Sequence, residues 1–204
     1  MGAMELAGHS LSEGVWLEFV AAPCGERYTM PLGVMGSGGA WRFRLYPGVG
    51  LLSIAESRGW RLDLRLLTPL DPLAYMESYL HRLEERLSYR GGCPEPDPAL
   101  GSWYACPAVK EGVEDGAVWF RCKSLRPLAS APQHPYYRAY GCFVELLIAA
   151  TKARAGFREY LGLELGVLGR SLYACVEKSA PGRRDLVEAA QLALQDLLQA
   201  AGEA

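Results

Sequence analysis

The chain has 204 residues, half of them apolar, with 21 Lys and Arg against 23 Asp and Glu and a formal net charge of −2. That apolar share is too high for a disordered chain, and the length allows one large domain or a barrel with a helical appendage around a sizeable core. Charge is evenly spread: residues 1–90 carry nine basic and ten acidic side chains, the remainder twelve and thirteen. Binding a nucleic-acid backbone takes clustered cations, and only Arg121, Lys123 and Arg126 gather, so no nucleic-acid partner is expected. No apolar run approaches the ~20 residues that span a bilayer, and the N-terminal segment lacks the basic-then-apolar order of a signal peptide. A cytoplasmic protein without a membrane partner is expected.

Val15, Leu17, Phe19 and Ala21 alternate with Trp16, Glu18 and Val20, the period of a strand. After the Pro23-Cys24-Gly25 turn, a second strand is expected over Tyr28 to Met35. Gly36-Ser37-Gly38-Gly39 lies between strands with no following helix or Lys, which favours a hairpin turn over a triphosphate loop. In the next strand Trp41, Phe43 and Leu45 face one side, Arg42, Arg44 and Tyr46 the other. A short helical connection then leads to the strand in which Trp60, Leu62, Leu64 and Leu66 alternate with Arg61, Asp63 and Arg65.

Asp71-Pro72 reads as the cap and first residue of a helix over 72–88, with Leu73, Met76, Leu80, Leu83 and Leu87 as its apolar stripe. The proline-rich run 91–98 is a long surface connection. Trp103 to Val109 and Ala117 to Lys123 form another strand pair, turned by Glu114-Asp115-Gly116. Helices are expected from Tyr136, from about Arg158 to Lys178, and from about Asp185 to Leu198, the last opened by a capping box of Asp185 and Glu188. The architecture is thus α+β: an antiparallel barrel over 1–130 with an inserted helix, then a helical lobe over 131–204 packed on the barrel.

Six cysteines at 24, 93, 106, 122, 142 and 175 show no C-x-x-C spacing. Most are expected to be buried thiols, with one or two disulfides permitted if the source is a hyperthermophile, and Cys24 and Cys93, on loops, also suit thiol-based redox regulation. No metal site is expected, since the histidines at 9, 81 and 134 lack ligand spacing, and without a Gly-x-Ser-x-Gly elbow no catalytic residue stands out. Tyr46-Pro47-Gly48-Val49-Gly50 is the best anion-binding turn, its glycines permitting positive φ and leaving amides accessible. Ser53, the first amides of the next helix and Arg44 would add donors and charge. An ordinary strand-to-helix turn has the same composition.

These segments carry a resemblance. Pro31-Leu32-Gly33-Val34, Arg44-Leu45-Tyr46-Pro47-Gly48, Thr68-Pro69-Leu70-Asp71-Pro72 and, downstream, Arg138-Ala139, Glu145 and Ala150-Thr151 are similar to the motifs of the archaeal FMN-binding split-barrel family called domain of unknown function 447, a relative of the flavin reductase barrels. The resemblance implies a split barrel that binds FMN through Pro31, Leu32, Gly33, Val34, Arg44, Tyr46, Pro47, Gly48, Val49, Gly50, Ser53, Thr68 and Arg138. It also implies a homodimer whose partner completes the slot, and an FMN-dependent oxidoreductase acting on a small-molecule redox substrate that the sequence does not specify. Gly33 would let the backbone approach the ring. One departure stands out: the family carries hydroxyl residues in the phosphate turn, where this chain reads Gly48-Val49-Gly50-Leu51-Leu52-Ser53-Ile54. That loss motivates an alternative, a cofactor-free dimeric barrel serving as a ligand- or protein-binding module.

Overall fold

The computed structural model describes residues 4–6, 9–11, 16–37, 40–131, 138–160, 162–180 and 182–202. It divides into two compact units, Met1–Gln133 and His134–Ala204. In the first, β1 (Trp16–Pro23), β2 (Met30–Ser37), β3 (Ala40–Leu45), β4 (Arg61–Pro69), β5 (Gly101–Glu114) and β6 (Ala117–Cys122) are joined by antiparallel ladders in the closed order β1-β2-β3-β6-β5-β4 and back to β1. β5 serves two neighbours along one edge: residues 108–114 pair with β6, while residues 103–105 pair with β7 (Arg126–Ala129), a strand the sequence pattern did not mark.

The period-two alternation fills the barrel. Phe19, Leu32, Val34, Phe43, Leu45, Leu64, Leu66, Cys106 and Phe120 are buried in one cluster, with Phe43 and Phe120 stacked at 5.3 Å. Helix α1 (Gly50–Ser57) adds Leu51, Leu52 and Ala55 to that cluster. The β5–β6 turn has both central residues at positive φ, Asp115 at 49° and Gly116 at 73°, the mirror-image turn whose twist suits a tight hairpin. The barrel is therefore closed, a point no single strand reveals.

The helix expected over 72–88 stops early. α2 spans Leu73–Tyr79, and the chain then breaks at His81, φ 55°, before a single 3₁₀ turn at Leu83–Glu85. Met76, Leu83 and Leu87 remain buried, so the apolar stripe packs but not on one continuous helix. The cause is Glu84, which turns inward and accepts the Thr29 amide at 2.6 Å; a straight helix would not deliver it there. Asp71 does cap, accepting the Leu73 amide at 3.0 Å.

The second unit holds α3 (Arg138–Arg154), α4 (Leu165–Ser179) and α5 (Arg184–Ala201). α4 starts seven residues later than the apolar pattern suggests, because Glu159–Tyr160 and Leu163–Glu164 pair as a short ladder. The capping box expected at Asp185 is absent: the N-cap is Arg183, and Asp185 instead takes the Arg183 guanidinium in a two-pronged ion pair.

The cysteines are not thiols. All six pair, as Cys24–Cys93, Cys106–Cys122 and Cys142–Cys175. Sequence spacing concealed this, since the partners lie 69, 16 and 33 residues apart and meet only once the strands and helices are assembled.

Candidate functional site

The turn expected to cradle an anion is a Pro-Gly turn of the second type. The Val49 amide bonds the Tyr46 carbonyl at 3.3 Å, and Gly48 at the third position takes φ 87°. Pro47 and Gly48 are exposed, and nothing lies within 4 Å of where a Gly48 β-carbon would be. The Tyr28 phenol lies against the start of the next helix, the Gly50 β-carbon position being 3.0 Å from the Tyr28 oxygen. Burial pushes the Tyr28 phenol above its usual range, the Leu51 amide pulls it back, the Glu84 carboxylate pushes up again and the Gly50 amide pulls down. The Leu52 amide returns to the Val49 carbonyl at 2.9 Å. The start of α1, whose first amides the sequence offered to a phosphate, thus has a phenol oxygen beside it.

A second feature lies on the outer face of the barrel. Outward residues at matching register form rows across the sheet: Glu18 opposite Gly33, Trp16 opposite Met35, Met35 opposite Arg42, and Arg44 opposite Trp119, which faces Gly112. With no side chain on Gly33, the Trp16 indole folds over it, 3.2 Å from the β-carbon position, and the Glu18 carboxylate closes from the other side at 3.0 Å. Trp16 thereby reaches Trp119, ring centres 6.4 Å apart. Arg44 lies among three rings, its guanidinium 5.4 Å from Trp16, 5.5 Å from Tyr46 and 5.7 Å from Trp119. It makes no ion pair among the described residues, unlike Arg42, which bonds Glu111 at 2.8 Å. An open groove of about 580 Å³ continues this face, lined by Met35, Arg42, Glu111, Gly112, Val113, Glu114 and Trp119.

The ladder between β2 and β3 covers Met35 to Ser37 against Ala40 to Arg42; no further ladder pairing joins these strands among the described residues. Beyond it, Pro31 to Val34 keep their pairing with β1 on the opposite edge. Of these four residues Pro31 and Gly33 are half-buried while Leu32 and Val34 are buried, so close approach of a planar ring to this strand is confined to Gly33.

Gly33 and Arg44 share the outer face, and Pro31 lies next to Gly33 on the same strand, half-buried. Leu32 and Val34 point the other way, into the barrel core, and are buried, backbone included. Tyr46 contributes its ring beside Arg44, while Pro47, Gly48, Val49 and Gly50 form the turn just described. Ser53 is exposed on α1 and Thr68 is exposed near the end of β4, opposite Ser102. Arg138 is exposed at the start of α3, in the second unit; Glu145, on the same helix, meets the Tyr160 hydroxyl at 3.4 Å. The sequence reading missed Trp16, Glu18, Trp119 and Tyr28. The alternation already put Trp16 and Glu18 on the face opposite Phe19, but the register that sets them against Gly33 and Met35 required the assembled sheet.

No protein-family model matches the chain, and no curated protein matches it. Among solved structures it is similar to the FMN-bound protein MM1853 of Methanosarcina mazei, assigned to the family model DUF447, with a TM-score of 0.69 and 19% identity over 91% of this chain and 96% of that one. At that identity the likeness shows the fold, an antiparallel barrel with helices following it. The neighbour carries the designation of the family whose motifs the sequence resembles.

Proposed function

We propose that this chain is an FMN-binding split-barrel protein of the DUF447 family, acting as a flavin-dependent oxidoreductase and working as a homodimer whose second copy completes the cofactor slot. The observation that carries the reading is the cradle at Gly33: an aromatic ring already lies there, beside an arginine with no acidic partner among the described residues, on a barrel whose solved neighbour is FMN-bound. The Trp16 indole stands in for a planar ring, and it is 40% exposed, free to swing aside. A bound flavin would bring the electron chemistry. The protein's own part is to seat the ring on β2 backbone, to shield it with Trp16 and Trp119, and to offset negative charge with Arg44.

The ring side of the site fits FMN; the phosphate turn fits it less well, because the family's hydroxyl residues are missing there and the Tyr28 phenol crowds Gly50. This favours the alternative of a cofactor-free barrel that binds a partner or another ligand through the same face. Visible absorption separates the two. Wild-type protein incubated with FMN and stripped of excess should remain yellow, Arg44→Ala should weaken retention roughly tenfold, as for one charged hydrogen bond, and Gly33→Leu should abolish it by filling the cradle. A colourless wild-type protein would sink the flavin reading and favour the alternative. Gly50 is the poorer test, since substitution there strikes Tyr28 whether or not a ligand binds.

A further inference from the structure

Away from the flavin face, three soft and hard donors converge from separate segments: Cys24 at the end of β1, Asp63 on β4 and Cys93 in the connection after α2. Their sulfur and carboxylate atoms all lie within 4.8 Å of one another. We infer that reduction of the Cys24–Cys93 disulfide converts this point into a zinc site with two thiolate ligands and one carboxylate.

The backbone around it is fixed independently of the sulfur–sulfur bond. The Cys24 amide donates to the Asp63 carbonyl at 2.8 Å, the Gly25 amide to the Gly92 carbonyl at 2.6 Å, and the Arg58 guanidinium bonds the Cys24 carbonyl. Cutting the disulfide therefore leaves the three donors gathered, while letting the sulfurs part to the spacing a tetrahedral ion requires, with Zn–S near 2.3 Å and Zn–O near 2.0–2.2 Å. Two thiolates select a soft or borderline ion such as Zn²⁺ over Mg²⁺ or Ca²⁺. Asp63 is exposed and half-buried Cys93 lies beside it, which gives the ion a route in from solvent; the carboxylate at present pairs with Arg65 at 2.9 Å and would exchange that partner for the metal. A fourth position stays open to water.

The chemistry balances with a dithiol as reductant. The Cys24–Cys93 bond breaks, two electrons and two protons pass from the dithiol, which closes to its own disulfide, and zinc then displaces the two thiol protons to solvent.

The full chain, reduced with a dithiol and desalted without oxygen, should retain one Zn²⁺ that the oxidised chain and a reduced Cys24→Ser/Cys93→Ser variant do not. Asp63→Asn should weaken zinc by more than about tenfold, since even outer-shell partners are worth that much. Co²⁺ in reduced wild-type protein should show thiolate-to-metal charge-transfer absorption that disappears on reoxidation, a readout that needs no variant to fold. No zinc on the reduced wild-type chain, equal zinc on the double-serine variant, or an unchanged affinity in Asp63→Asn would each overturn the assignment.

Discussion

A β-carbon added at Gly101 would lie 2.1 Å from the Thr68 carbonyl oxygen, 2.7 Å from Leu67 Cδ1 and 2.9 Å from Pro69 Cα, and the residue holds φ 155°. Backbone atoms cannot yield as a flexible side chain would, so Gly101→Ala should cost at least about 2 kcal/mol, from crowding and backbone strain together, read as a shift in the denaturant midpoint. At Gly33 the neighbours are the ends of the Trp16 and Glu18 side chains, so Gly33→Ala should fold with near-normal stability. Tyr28, Tyr89 and Tyr104 titrate above the ordinary value of 10, in each case mainly because burial penalises the phenolate. The folded protein then holds these protons more tightly than the unfolded chain. Their stabilisation is complete below about pH 10 and is lost as pH rises through the raised folded values. Tyr28→Phe should flatten part of that alkaline loss in chemical denaturation followed against pH. It should also clear the space beside Gly50 that the phenol oxygen fills and so increase FMN retention if the phosphate belongs there.

In the 3₁₀ turn at Leu83–Glu85, one buried carboxylate ties that turn to the start of β2. Glu84 is 8% exposed, and its Oε1 satisfies the amide that leads into β2. Glu84→Gln keeps an acceptor, whereas Glu84→Ala orphans the Thr29 amide and should cost about 1–3 kcal/mol in urea unfolding. Across the barrel wall, the Cys106–Cys122 bridge joins β5 to β6 within the core. A loop of its size is worth about 3 kcal/mol in chain entropy, so the Cys106→Ala/Cys122→Ala pair should lose about that much, plus a cavity term, in the same measurement. The strands themselves were legible in the sequence because each buries one face, which writes period two into the residues. The end of α2 was not, because His81 turns the chain to deliver Glu84, a contact 55 residues away in sequence from its partner.

Over the whole molecule, two disulfides lie within the first unit and one within the second, and none joins the units. Each unit should therefore lose stability on its own when a dithiol is added, by about 3–4 kcal/mol per bridge. Scanning calorimetry with and without reductant should show every transition moving down. Disulfides persist in oxidising compartments and in the intracellular proteins of hyperthermophiles. No described helix is long and apolar enough to cross a membrane.

By itself the sequence determined what is local: which residues alternate, where glycine and proline turn the chain, which helical faces are apolar, and hence an antiparallel barrel followed by helices. It also placed Gly33 and Arg44 in the candidate site through their motifs. Closure of the barrel, pairing of all six cysteines, the Trp16 ring over Gly33 and the Tyr28 oxygen beside Gly50 were decided by the tertiary structure. Each joins residues far apart in the chain, and the register that brings them together follows from the packing of every strand at once, so no short stretch of residues encodes it.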